Sequence, residues 1–123
     1  MKKKMKAVEI AKMVIQLKEL REREDKYLEV KQEFKFPQSV SLAIAKNSNA
    51  LMDMYTIIGR QEEKNKELAD KKGILLGELK EQQELLKTEM EVELAAITPE
   101  EINNCKATSE DLITLLTFTE GGA

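Results

Sequence analysis

The chain of 123 residues has no histidine, no tryptophan, one cysteine, two prolines and five glycines, and only 4% of it is aromatic. Each shortage removes a class of reading. Without histidine, the commonest general base and the commonest metal ligand are missing. With Cys105 as its lone thiol, the chain cannot assemble a structural zinc site by itself. It can form no internal disulfide, and a lone thiol fits a reducing compartment. The glycines, Gly59, Gly73, Gly77, Gly121 and Gly122, lie in neither a GxGxxG nor a GxxxxGK context, so no phosphate-cradling loop is encoded. No apolar run reaches the length of a membrane span. Glu9 and Lys12 break any leader core after Lys2, Lys3, Lys4 and Lys6, so neither a signal peptide nor a membrane partner is expected, and the chain reads as cytoplasmic. The net charge of −3 lacks the basic excess of a general phosphate-backbone binder, so no nucleic-acid partner is expected.

What is abundant is charge, 35% of residues beside 41% hydrophobic, the balance of long amphipathic helices rather than of a β or α/β fold. The expected fold is mainly α: long antiparallel helices in a hairpin or bundle, a short strand near 89–97 and short C-terminal helices, in one domain over 1–123. The central stretch, Lys35–Gly59, places Val40, Ile44, Leu51, Tyr55 and Ile58 on one helix face. Pro37 suits the first turn of this helix, expected over 37–72. Asn47 lies on the same stripe, where a polar amide must find partners or cost roughly 1–3 kcal/mol.

The run Phe36-Pro37, then Val40-Ser41-Leu42-Ala43-Ile44-Ala45-Lys46-Asn47, with Leu51 and the charged run Arg60–Lys66 behind it, resembles a family of small uncharacterised proteins from phages and prophages of Gram-positive bacteria. The likeness continues into Glu91-Val92-Glu93-Leu94. It implies a phage-encoded protein in the host cell cytoplasm and carries no activity with it.

Upstream, a helix over 5–34 is expected, with Ile10, Val14 and Leu17 on one flank and Met13, Leu17, Leu20, Tyr27 and Leu28 in a heptad-like, coiled-coil stripe. Arg21–Lys26 alternates in charge and reads as a solvated face or a docking surface. A turn is placed at 34–36, since the residue before proline avoids the α region. Downstream, Gly59 marks a kink or a close helix approach. Arg60–Lys72 is so charged that it should project or pair with another helix. Gly73 reads as a C-cap before a third helix over 74–88, and the spacing of Gly73 and Gly77 admits a close helix crossing. From Glu89, Met90, Val92, Leu94 and Ala96 alternate as in a strand that needs a partner from another subunit or a local one. The alternative is helix continuing to Ile97, because Glu, Leu and Ala are good helix formers. Thr98-Pro99-Glu100-Glu101 is a capping-box start for a helix over 99–106. A second start at Thr108 or Ser109 opens a helix over 109–118, with Leu112, Ile113, Leu115, Leu116 and Phe118 as its apolar face, before a frayed tail over 119–123.

No enzyme signature is present: the carboxylate neighbours Glu62-Glu63 and Glu100-Glu101 point to different sides of a helix. The chain therefore reads as a non-enzymatic homo-oligomer without metal or cofactor, and two functions remain open. One is a phage-encoded binding protein, a counter-defence factor that binds a host protein or sequesters a small anionic signal. Lys46, Asn47, Arg60 and Lys64 are its candidate ligand-binding residues, with Asn47 orienting a ligand and the cations meeting phosphate or carboxylate. The other is a structural or morphogenesis protein working through helix packing, in which Asn47 fixes register in an apolar seam and Arg60 and Lys64 pair with Glu62, Glu63 and Glu67 along their own helix.

Overall fold

Two long helices dominate because two long stretches each carry buried apolar residues at helical spacing, interrupted in the second by Asn47 and Asn65. The computed structural model describes residues 1–120. In chain order it runs β1 (Lys2–Met5), α1 (Ala7–Lys31), α2 (Gln38–Lys72), a 3-10 turn (Leu76–Glu78), α3 (Lys80–Lys87), β2 (Met90–Glu93), α4 (Pro99–Asn103) and α5 (Ser109–Leu116). Helix α2, with 35 residues, is about 52 Å long. Ser41 on α2 donates a hydrogen bond to Glu24 on α1, Ser48 shares a groove with Val14 and Lys18, and Ile58 shares one with Ala7 and Ala11. Positions rise along α2 as they fall along α1, so the pair is an antiparallel hairpin. Its seam buries Ile10, Leu17 and Leu20 against Val40, Ile44, Leu51 and Ile58.

The N-terminal residues depart from the expected helix over 5–34. Lys2–Met5 is a strand paired antiparallel with Met90–Glu93, with Lys2 opposite Glu93 and Lys4 opposite Glu91. The alternation after Glu89 is thus a real but shorter strand, with its partner in the same chain. Cross-strand charges of opposite sign favour that register, and the buried Met5 and Val92 anchor its inner face. Helix α1 also ends earlier, at Lys31. Gln32 adopts a left-handed conformation (φ 55°), and its N–H bonds Leu28 O at 2.9 Å.

Helix α2 begins at Gln38 with Pro37 in the capping position, its carbonyl accepting from Val40 N and Ser41 N. It continues through Gly59, where an added Cβ would meet nothing within 4 Å, so no close approach within the chain requires glycine there. The same holds at Gly77, and no close crossing is built on Gly73 and Gly77. Gly73 does end α2 in the left-handed region (φ 67°). Ile74 N bonds Ala69 O and Gly73 N bonds Asp70 O, the paired bonds of a Schellman turn. This reversal shortens the expected third helix to Lys80–Lys87, because residues 74–79 are needed to bring the chain back over α2. The charged half of α2 is thereby covered by its own chain: Asn65 and Ala69 are buried, as are Leu79 and Gln82 of the returning segment. The polar members form one relay. Gln61 Nε2 donates to Asn65 Oδ1, Asn65 Nδ2 to Gln82 Oε1, and Gln82 Nε2 to Glu62 Oε2, each at 3.0 Å.

The C-terminal part closes the core on the other side of α1. Helices α4 and α5 start on capping boxes at Thr98/Glu101 and Thr108/Asp111 and end at Asn103 and Leu116, short of the expected bounds. Leu115 and Phe118 are fully buried, whereas Ile113 and Leu116 are exposed. Thr119, expected in a frayed tail, is buried, with its hydroxyl bonding Leu116 O at 2.8 Å; the rest of that tail, from Gly121, lies outside the described residues. Among the described residues no helix is long and apolar enough to cross a membrane.

The two left-handed positions should respond oppositely to substitution. A non-glycine residue there costs roughly 1–2 kcal/mol, so Gln32→Gly is expected to raise, and Gly73→Ala to lower, unfolding stability by about 1 kcal/mol. Urea denaturation of both variants measures the signs.

Candidate functional site

Asn47 is fully buried. Its Nδ2 donates to Ala95 O at 3.0 Å and its Oδ1 accepts from Ala95 N at 2.6 Å. The side-chain amide thus takes both backbone groups of one residue, as a neighbouring strand would, and holds the chain leaving β2 against the middle of α2. In that arrangement donor and acceptor are already engaged.

Lys46, Arg60 and Lys64 are exposed and share the face of α2 that points away from the core, since the steps between them are close to whole turns. They do not converge within the chain: Lys46 and Arg60 are separated by about 21 Å along the helix axis. Nor does any of them form an ion pair among the described residues, Glu62, Glu63 and Glu67 included.

The strongest electrostatic constellation lies elsewhere, around Asp111. This carboxylate is fully buried at the start of α5, where as capping-box residue it accepts from Thr108 N at 3.0 Å. Its Oδ2 lies 2.6 Å from Lys35 Nζ, and its Oδ1 accepts from Arg23 Nε at 2.7 Å. Lys35 is itself buried, its ammonium 5.8 Å and 5.7 Å from the ring centres of Tyr27 and Phe36, within cation–π range. Arg23 Nη1 also reaches Glu110 at 3.6 Å. Burial pushes the Asp111 carboxyl up, but the hydrogen bonds from Lys35, Thr108 N and Arg23 outweigh it and hold it below its ordinary value. Close by, Glu33 accepts from Tyr27 Oη at 2.7 Å and from Lys106 Nζ at 2.9 Å. Bonds from Lys106 and Tyr27 lower the Glu33 carboxyl, and the bond to Glu33 raises the Tyr27 phenol.

Sequence reasoning placed Arg23 in a solvated charge run and Asp111 in a helix first turn, and it missed their meeting. The one local sign was the Thr108/Asp111 cap; the partners stand 88 and 76 residues away in the chain. Burial and then the charges of Glu101, Asp111 and Glu24 push the Cys105 thiol up to about 11, away from the nucleophilic thiolate form. No group of three Cys, Asp or Glu side chains is placed to share a metal ion among the described residues. Comparison of the chain with protein-family models, curated proteins and solved structures found no match.

Two outcomes follow. Asn47→Leu strands the Ala95 N–H and C=O in the interior and should cost at least the 1–3 kcal/mol typical of one unsatisfied buried group, read as a fall in the denaturation midpoint. Asp111→Ala leaves Lys35 buried without its counter-charge and should cost roughly 3–5 kcal/mol. Because the folded-state carboxyl is depressed, its contribution is complete above the unfolded value of about 3.9 and is lost as pH falls through the lower folded value. Denaturation midpoints followed from neutral pH downward should show that acid-sensitive component in the parent and not in Asp111→Asn.

Proposed function

We propose that this chain is a non-enzymatic, phage-encoded binding protein of the host cytoplasm that pairs with a second copy of itself and acts in counter-defence by capturing a host protein. The phage assignment rests on the resemblance over Phe36–Asn47. The pairing rests on one observation, the outer face of the α1–α2 hairpin. There Val8, Ile15, Met52, Tyr55 and Leu86 are all more than two-fifths exposed, and two adjoining grooves run between the helices. Tyr55, expected on the buried stripe, is turned to this face. Contiguous exposed apolar surface of this kind is where proteins meet.

A second copy suits the face because its apolar middle can cover itself under twofold rotation. One end of the groove carries Lys18 and Arg21 beside Glu22 and Asp25, and the other carries Glu62. A twofold axis through the apolar middle lays each end over its opposite, as an isologous contact requires. Ser48 Oγ, buried beneath the groove without a hydrogen-bond partner among the described residues, adds a polar group for the second subunit to satisfy. The pairing no longer needs the strand or the charged half of α2, both covered within the chain. Sequestration of a small anion by Lys46, Arg60 and Lys64 has weaker support, given their spacing along one helix.

Light scattering should report twice the 14.0 kDa chain mass across the micromolar range, and Ile15→Asp should halve it with helix content unchanged. A parent that stays monomeric over that range overturns the pairing. Open-ended growth with concentration would instead favour the morphogenesis role, since a contact that does not close makes filaments.

A further inference from the structure

The last two turns of α1 carry a second surface, distinct from the hairpin face. Arg23, Lys26, Tyr27, Val30 and Lys31 line an open groove of about 270 Å³ with Lys35 beneath it. Four of these six residues are cationic and none is acidic, in a chain whose net charge is −3. At 100° per residue, Tyr27 and Val30 lie between Lys26 and Lys31. The groove therefore has an aromatic and aliphatic floor with a lysine on either side. Asp111 takes the inward sides of Arg23 and Lys35, and Glu110 touches Arg23 at 3.6 Å. Glu33, the carboxylate nearest the Tyr27 hydroxyl, is engaged by Tyr27 and Lys106. Lys26 and Lys31 form no ion pair among the described residues, so the positive field over the groove is theirs, set by local geometry and not by total charge.

We propose that this groove is the docking site for an acidic, partly apolar peptide segment of the captured protein, an inference that rests on the protein-binding reading above. The groove is open, whereas small-molecule sites enclose most of their ligand. It sits at the carbonyl end of α1, which supplies no N–H cradle for a phosphate. Carboxylates spread along a segment can reach the two flanking lysines while an apolar side chain covers Val30, which is 65% exposed. Charge complementarity of this kind sets partner choice and association rate.

The test is fluorescence anisotropy with a labelled nine-residue probe peptide that alternates glutamate and leucine, with light scattering on the same samples. The parent should bind saturably at low salt and more weakly as salt rises. Lys26→Ser/Lys31→Ser should weaken binding at least tenfold, while Lys46→Ser/Lys64→Ser, removing the same charge from α2, should leave it unchanged. All three proteins should keep the parent's mass and helix content, so failure here is distinguishable from failure of the pairing. Absence of saturable binding, equal binding by the two double variants, or unaltered binding by the glutamine version of the peptide overturns the proposal. Displacement of the peptide by inorganic pyrophosphate at equal concentration overturns it in favour of a small-anion site.

Discussion

The charge on Asp111 is what the arrangement of the C-terminal half depends on. One carboxylate with no exposed surface joins three parts of the chain: Arg23 from α1, Lys35 from the connection between the long helices, and Thr108 at the start of α5. Buried ion pairs are weak evidence for stability in themselves, since desolvation consumes most of the attraction. They are strict about position, however, because a misplaced α5 would leave Lys35 charged in the interior. A capping residue, which ordinarily serves only its own helix, here also sets where that helix docks.

The same economy governs the polar positions of α2. Asn47 and Asn65 fall on the buried face, and each is satisfied by a segment that arrives later in the chain, Ala95 for the first and Gln82 for the second. Both therefore specify which segment covers which part of the long helix. Apolar contacts alone would tolerate sliding along a 35-residue rod, whereas an amide pair admits one register.

Ser48 excepted, the polar side chains of the interior are engaged by other parts of the chain, while the hairpin's outer face and the α1 C-terminal groove keep apolar side chains exposed, and Lys26 and Lys31 form no ion pair among the described residues. The first carries charges of both signs, and the lining of the second is cationic.

Helical class, the breaks near Pro37 and Gly73, the capping box at Thr98, a helix start at Thr108 or Ser109 and the burial of Val40, Ile44, Leu51 and Ile58 were legible in the sequence alone. Each is set by residues a few positions apart, through side-chain periodicity or satisfaction of a helix end. Tertiary structure decided the rest. The strand after Glu89 found its partner some ninety residues upstream, the charged half of α2 was covered by its own returning chain, and Asn47 met Ala95. Candidate binding residues chosen by charge along α2 proved to be spread over one outward face, while Arg23, Lys35 and Asp111 converged from distant segments. Local pattern reports which face a residue occupies, but not which segment will lie opposite it, because long-range pairing is settled only when the whole chain has competed for the same buried surface.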